Sequence, residues 1–192
     1  IVTNTSISAS ELISLDSQYE NVNAPAVTTI TGTATAVNTA YASNSINGLG
    51  NETIILTDTT LAAATLTPTV NGYSTVAINA NSVTTLTGTN AEILAAYTAD
   101  SNAEVILDTD AKLTLDDSIT SGEANVLATK TSGVITATIS TTAIADLDDL
   151  SGTGNAYTVT VADASVTAAA LKTVDAATTV NVTVTNVTAI SG

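Results

Sequence analysis

One short phrase occurs twice in this chain and begins a third time at the last residues. "AVTTITGT" occupies residues 26 to 33, "SVTTLTGT" occupies residues 82 to 89, and "NVTAISG" occupies residues 186 to 192. A phrase that recurs in this way indicates a repeat architecture, because a unit too small to bury its own apolar face can bury it against the next unit. The repetition therefore restricts the possible folds more than any other feature of the sequence.

A second phrase interleaves with the first, at residues 7–16, 61–70, 119–128 and 166–175, and a weaker copy of the first begins at Ile139. Together they define a repeat of about 52 residues, made of unequal sub-units of roughly 20–22 and 27–36 residues. We predict one continuous domain over residues 1–192, with approximate units at 1–52, 53–107, 108–154 and, in part, 155–192. The partial unit predicts that the chain is a fragment of a longer repetitive protein.

The second phrase predicts a short helix with a defined start. A Ser or Thr followed three positions later by Glu forms a capping box, in which each residue satisfies a backbone amide of the other at a helix N-terminus. The pairs with this spacing are Ser8 and Glu11 and Thr120 and Glu123 in the second phrase, and Thr89 and Glu92 at the end of the first phrase. We expect helices of about two turns at the copies of this phrase.

Alternating runs rich in Thr, Val and Ile predict strands between these helices. The runs are 53–57, 74–78, 103–107, 112–115, 133–138, 157–161 and 178–184. Asp or Asn follows near several apolar stretches, which favours tight corners held by side chains. These corner residues are Asn4, Asp58, Asp116 and Asp163.

Together these elements predict a right-handed solenoid of seven or eight coils. Short parallel β-strands would form a single sheet over an aliphatic core, and each coil would carry a short helix or helical turn on the opposite side. A leucine-rich-repeat horseshoe is a rival of similar coil length, but its L-x-x-L-x-L-x-x-N pattern is absent. Tandem β-sandwich domains are the other alternative, although they would lack capped helical phrases in every half-unit.

The composition excludes several classes of function. Eighteen acidic residues stand against three lysines, Lys112, Lys130 and Lys172, which gives a net charge of −15. Such a surface is a poor partner for nucleic acid or anionic membranes, and no apolar run approaches the length of a membrane span. The chain also has no His, Cys or Arg, so the commonest general base, the usual transition-metal ligands and the usual phosphate clamp are missing.

Two acidic clusters are candidate calcium sites, because calcium binds six to eight oxygen ligands and paired aspartates can supply several. The first comprises Asp108, Asp110, Asp116 and Asp117, and the second comprises Asp146, Asp148 and Asp149. Neither matches an EF-hand loop, and the calcium-roll nonapeptide is absent. Solvated corners or helix caps are the alternative interpretation of both clusters.

Three other patterns favour a structural role over a catalytic or ligand-binding role. The G-x-G-N phrases at Gly48 and Gly152 lack the third glycine and the following helix of a nucleotide loop, so they predict turns. Paired carboxylates could hydrolyse a glycosidic bond, but the only aromatic residues are five tyrosines. Outward threonines could order water as on an ice-binding solenoid, but the unequal sub-units predict that such an array would be misaligned.

Several stretches resemble the Thr/Ala/Val-rich repeat regions of very large surface or secreted proteins of marine cyanobacteria. They are "SVTTLTGT", "GLGNETIILTDTTLAA" and "GTGNAYTVTVADASVTAAALKTVDAATTV". The resemblance covers most of the chain from about residue 26 and is poorest over 100–130. It implies a stalk or surface array outside the cell, built from many such repeats, and it carries over no catalytic residue.

The sequence thus predicts a non-enzymatic structural segment, a rigid spacer or surface-layer piece, without a cofactor. Its partners would be neighbouring repeats and, through uncapped end coils, other copies of itself. The alternative is an adhesin-like solenoid that uses calcium or its corner loops to hold a glycan or protein partner.

Overall fold

The computed structural model describes residues 1–192, apart from the side chain of residue 68. It is a mixed α/β fold with parallel strands and several short helices. The strands are β1 Ser6–Ser8, β2 Val22–Asn23, β3 Thr29–Gly32, β4 Ile46–Asn47, β5 Thr53–Leu56, β6 Thr60–Ala62, β7 Ile78–Ala80, β8 Thr85–Gly88, β9 Val105–Leu107, β10 Lys112–Ile119, β11 Ile135–Ile139, β12 Ala156–Thr158, β13 Ser165–Thr167 and β14 Ala189–Ser191. The helices are α1 Ala9–Gln18, α2 Ala34–Ala42, α3 Asn90–Ser101, α4 Ser121–Ala128, α5 Ile144–Leu147 and α6 Ala168–Ala177.

The chain divides into two compact units. The first contains Ile1–Leu86 and Glu92–Asp108, and the second contains Thr87–Ala91 and Thr109–Gly192. Helices α1 and α2 belong to the first unit, and α4, α5 and α6 belong to the second.

A five-stranded parallel sheet organises the first unit, in the order β1-β3-β5-β7-β9. Register partners on the inner face of its five strands form one column of aliphatic side chains, no more than 7% exposed: Ile7, Ile30, Ile54, Ile78 and Val105. β-Branched side chains suit this stacking because their shape packs well on a pleated surface. Full burial of one isoleucine contributes about 1.5–3 kcal/mol, so the column is a major source of stability.

Strand pairing has a nearly constant spacing along the chain. Thr29 pairs with Thr53, 24 positions later, and the offset is 27 between Ile78 and Val105. In the second unit β10, β11 and β12 lie side by side, and Thr136 pairs with Ala156, 20 positions later. These pairing offsets of 20 to 27 positions meet the predicted longer sub-unit of 27–36 residues only at its lower bound.

The spacing between phrases can exceed the offset between paired strands because consecutive copies of the two phrases do not always lie in one sheet. β1 and β3 lie in the five-stranded sheet, whereas β6 lies beside β8 in another. The phrase spacing between β3 and β6 therefore includes a change of sheet. The prediction of a single sheet is wrong, because the first unit contains both the five-stranded sheet and the separate β2–β4 pair.

The helix starts confirm the cap predictions for the second phrase. Ser8 caps α1 in a complete capping box with Glu11, and Thr120 caps α4 in another with Glu123. α3 begins directly after Thr89, as its spacing predicts.

The copy at 61–70 differs from the others. It forms a π-helical turn over Thr65–Thr69 and a 3₁₀ turn over Val70–Tyr73 instead of a capped α-helix. Thr67 has an extended backbone (φ −127°, ψ 126°) within this segment. Thr67 precedes a proline, and a residue in that position avoids the helical region.

The repeated phrase itself forms a corner followed by a strand. In all three copies the amide of its Val donates to a carbonyl three residues earlier, and the hydroxyl of the next Thr donates to a carbonyl 23 to 25 residues earlier. The threonines are Thr28, Thr84 and Thr188, and their acceptors are the carbonyls of Thr5, Thr59 and Ala164. The phrase thus recurs because it makes the same turn and the same bond to the preceding part of the chain.

Two predicted strands do not form as expected. In the run 74–78, only Ile78 lies in a strand, and the run 178–184 makes isolated bridges at Thr178 and Thr183. Both runs alternate correctly, but alternation alone does not supply a partner strand along their full length.

Candidate functional site

The most buried carboxylate of the first unit is that of Glu52, which is 4% exposed. Both of its oxygens accept the amide of Gly50, at 2.9 and 3.0 Å, and the Tyr41 hydroxyl donates to Oε2 at 2.5 Å. Gly48 begins this loop with φ +85°, a conformation that glycine adopts easily. The carboxylate therefore fastens the loop that precedes β5 to helix α2.

Two tyrosines enclose this polar cluster. The rings of Tyr41 and Tyr73 stack with centroids 4.5 Å apart, and the Tyr73 hydroxyl donates to Oδ1 of Asn38. Burial raises the pKa of Tyr41, and its hydrogen bond to Glu52 and the charge of Glu52 add to the effect. These interactions favour a neutral Tyr41 donor beside the carboxylate, which suits a structural clamp.

The sequence did not reveal this clamp. Gly48 and Gly50 were correctly predicted to form a turn, but nothing in the spacing joins Glu52 to Tyr41, 11 positions earlier. The only signal is a lone acidic residue directly before a buried strand.

Two of the predicted corner residues, Asp58 and Asp163, cap helices that begin 24 and 19 positions earlier in the chain. Oδ2 of Asp58 accepts the amide of Ala34 at 2.8 Å, and Oδ2 of Asp163 accepts the amide of Ile144 at 2.7 Å. These amides are at the first residues of α2 and α5, where backbone donors lack a partner within the helix. The aspartates therefore join successive parts of the repeat and complement the positive end of the helix dipole.

The first calcium candidate is dispersed along the chain. Asp108 and Asp110 lie in the connection between β9 and β10, whereas Asp116 and Asp117 lie within β10. Oδ1 of Asp117 accepts the amide of Asn90, the first residue of α3, at 3.0 Å. Asp117 thus has the helix-capping role that was the alternative to calcium binding.

The second candidate borders a small open cleft of about 240 Å³. Asp146 and Asp149 line it together with Asn125, Thr141 and the start of α4, while Asp148 follows the last residue of α5. Asn125 donates to the backbone carbonyl of Asp149 at 2.9 Å. Within the described part of the chain, no three acidic side chains converge as a metal site would require. Calcium binding by the seven aspartates stays a prediction.

The larger clefts lie beside β1 and beside α6. One, of about 380 Å³, is lined by Ile1, Ile7 and Leu15, with Glu11 at its border, and another, of about 440 Å³, is lined by Lys172 and Val184. No helix in the described residues is long and apolar enough to cross a membrane. Comparison of the chain with protein families, with curated proteins and with solved structures finds no match.

Proposed function

We propose that this chain is a structural, non-enzymatic segment, a solenoid whose stacked coils act as a rigid spacer. The observation that carries the proposal is the inner aliphatic column of the five-stranded sheet, together with the nearly constant pairing offset. A chain that returns to the same position every 20 to 27 residues adds one strand per return, so repetition alone produces length.

The polar contacts support the same proposal. The buried Glu52 carboxylate, the Asp58 and Asp163 caps and the phrase threonines all bind groups of the protein itself. Side chains used in this way fix the coils to one another, which is what a spacer needs. The location that we propose, outside the cell or at its surface, rests on the resemblance to surface-protein repeats alone.

Spin labels on the five-stranded sheet test rigidity. The chain has no cysteine, so the exposed positions of S6C and I106C can be labelled specifically. Adjacent strands lie about 4.8 Å apart, so these labels on the first and fifth strands should be about 20 Å apart. Double electron–electron resonance should give one narrow distance distribution. The matched pair S6C/T53C lies two strands apart and should give about half that distance. A separation this short is measured from dipolar broadening of the continuous-wave spectrum.

A broad distribution for S6C/I106C would refute the rigid spacer. The measurement is repeated with calcium chloride and with EDTA, because the alternative function is an adhesin-like solenoid that holds calcium. The spacer predicts the same distances and the same thermal transition in both solutions. A transition that rises with calcium, together with bound calcium by elemental analysis, would favour the alternative.

A further inference from the structure

Tyrosine is the side chain of this protein that one-electron oxidants attack most easily. Cys, Met, Trp and His, the other side chains that oxidants commonly attack, are all absent, whereas the chain has five tyrosines. Oxidative chemistry on this protein therefore falls on tyrosine. The product depends on the surroundings of each ring.

Tyr41 and Tyr73 are already placed for a reaction with each other. Their rings stack with centroids 4.5 Å apart and planes 7° from parallel. Two tyrosyl radicals join through ring carbons next to the hydroxyl, and the new bond forms across the ring faces, which here point at each other. Both side chains are partly exposed, so a small oxidant in solution can reach them.

Tyr41 also has a base for the proton that it must lose on oxidation. Burial, and then Glu52, raise its pKa and keep it neutral, so the phenolic proton has to leave with the electron. The Tyr41 hydroxyl donates to Oε2 of Glu52 at 2.5 Å, and the carboxylate can therefore take this proton directly. The Tyr73 hydroxyl donates to Oδ1 of Asn38, which is not a base, so its proton passes to water.

The other tyrosines with a described environment lack one of these features. Tyr157 is 0% exposed and its hydroxyl has no partner among the described residues, so its oxidation would leave a proton without an acceptor. Tyr97 is 5% exposed and almost closed to an oxidant. Tyr19 is 60% exposed and can lose a proton to water, but it is not stacked on Tyr41 or Tyr73.

We propose that Tyr41 and Tyr73 form a site of oxidative cross-linking, at which a one-electron oxidant joins them as dityrosine. Each tyrosine gives one electron to one equivalent of oxidant and loses its phenolic proton, Tyr41 to Glu52 and Tyr73 to water. The radicals then form one carbon–carbon bond between ring positions ortho to the hydroxyls. Each ring loses the hydrogen at that position as a proton and regains its hydroxyl proton. In total two C–H bonds break, one C–C bond forms, and two protons and two electrons are released.

The cross-link would join two successive parts of the repeat covalently. Tyr41 lies in the last turn of α2, and Tyr73 ends the 3₁₀ turn that packs beside α2. A bond between these residues restricts the unfolded chain, so the linked protein should unfold at a temperature higher by about 10 °C. The site goes beyond the proposed spacer function and does not depend on it.

Photochemical oxidation tests the site. Dilute wild type is irradiated with tris(bipyridine)ruthenium(II) and persulfate, which generate a one-electron oxidant, and the monomer is then purified. This monomer should show the fluorescence of dityrosine. A protease that cleaves after acidic residues separates Tyr41 from Tyr73 at Glu52 and Asp58, so mass spectrometry should find their two peptides joined and lighter by two hydrogens.

Y73F and Y19F are matched variants, because each removes one phenolic hydroxyl and keeps the ring. Y73F should lose the intramolecular product, and Y19F should keep it. E52Q should form it about 100-fold more slowly, because an amide does not take the proton. Circular dichroism checks the fold of each variant, and Y73F and Y19F decide the site even if E52Q does not fold.

Three results would overturn the site. They are a wild-type monomer without the joined peptides after Tyr19 has been oxidised, an intramolecular product that Y73F retains, and one that Y19F loses. An initial rate in folded E52Q equal to that of wild type would overturn the role of Glu52 as proton acceptor.

Discussion

Removal of the Asp58 carboxylate should loosen the contact between two successive parts of the repeat. Its Oδ2 accepts the amide of Ala34 at 2.8 Å, and Ala34 is fully buried. In D58A this amide has no acceptor, which costs about 1–3 kcal/mol, and the helix loses a charge at its N-terminus worth about 0.3–1 kcal/mol. We expect a total loss of about 2 kcal/mol. D58N keeps an oxygen acceptor and should lose about half as much.

Urea unfolding measures the expected loss of stability, and hydrogen exchange measures the loss of protection at the Ala34 amide. With a slope of about 2 kcal/mol/M, D58A should lower the urea midpoint by about 1 M. Exchange of the Ala34 amide should accelerate by about 30-fold, since 1.4 kcal/mol corresponds to a factor of ten. D58N should show smaller changes in both measurements.

The matched control is D175A, which removes the same charge from an exposed position in the last turn of α6. An acid at that end of a helix is not favoured by the dipole, so D175A should change the midpoint little. If D58A loses no more stability than D175A, and the exchange of Ala34 is unchanged, then the cap does not stabilise the repeat.

The remaining predictions concern buried hydroxyls and titrating groups. Y41F should cost about 2 kcal/mol, because it removes the hydroxyl donor from the buried Glu52 carboxylate. Y157F should be neutral or stabilise by about 1 kcal/mol in the same thermal assay, since the buried Tyr157 hydroxyl has no partner among the described residues. Burial raises the pKa of Tyr157 to about 12. The free energy of unfolding should therefore not depend on this group below about pH 10, the pKa of tyrosine in an unfolded chain, and should fall as the pH rises from 10 through 12. Absorbance at 295 nm follows this ionisation. The capping bonds lower the pKa values of Glu11 and Glu123. The stability that these two carboxylates add should therefore be present above about pH 4.3 and lost as the pH falls further. The double variant E11Q/E123Q should lose less stability on acidification than wild type.

The parts of the fold that depend on neighbouring residues could be predicted from the sequence. The caps at Ser8 and Thr120 follow from a three-residue spacing, and the burial of Val83 and Leu86 follows from the apolar positions of one phrase. Asp58 and Asp163 were predicted as corner residues and do cap helices, whereas Asp116, also predicted at a corner, lies within β10 next to the capping Asp117. The bonds of these capping aspartates to helices about 19 to 27 positions earlier were not predicted, because a corner motif specifies no distant partner.

The parts that depend on distant pairing could not be predicted. Whether β6 continues the sheet of β3 or begins beside β8 is decided by packing between parts of the chain far apart in sequence. The clamp between Tyr41 and Glu52 joins residues 11 positions apart, and no capping or turn motif specifies that pair. At 61–70 a proline outweighed the helical pattern, because it constrains the residue before it.

Disulfide formation between register partners is the most direct test of the parallel stacking on which this account depends. Thr138 of β11 pairs with Thr158 of β12, and both are exposed. Adjacent strands place their Cα atoms about 5 Å apart, within the range that a disulfide bridges, whereas Thr136 and Thr158, two residues out of register, should be about 8 Å apart.

In a chain without other cysteines, oxidised T138C/T158C should form the intramolecular bond nearly completely, and peptide mass mapping identifies it. T136C/T158C should remain largely reduced as a monomer under the same conditions. In the first unit T29C/T53C should behave like T138C/T158C. Stacked parallel coils predict this difference between matched and shifted pairs, and equal bond formation in both would contradict them.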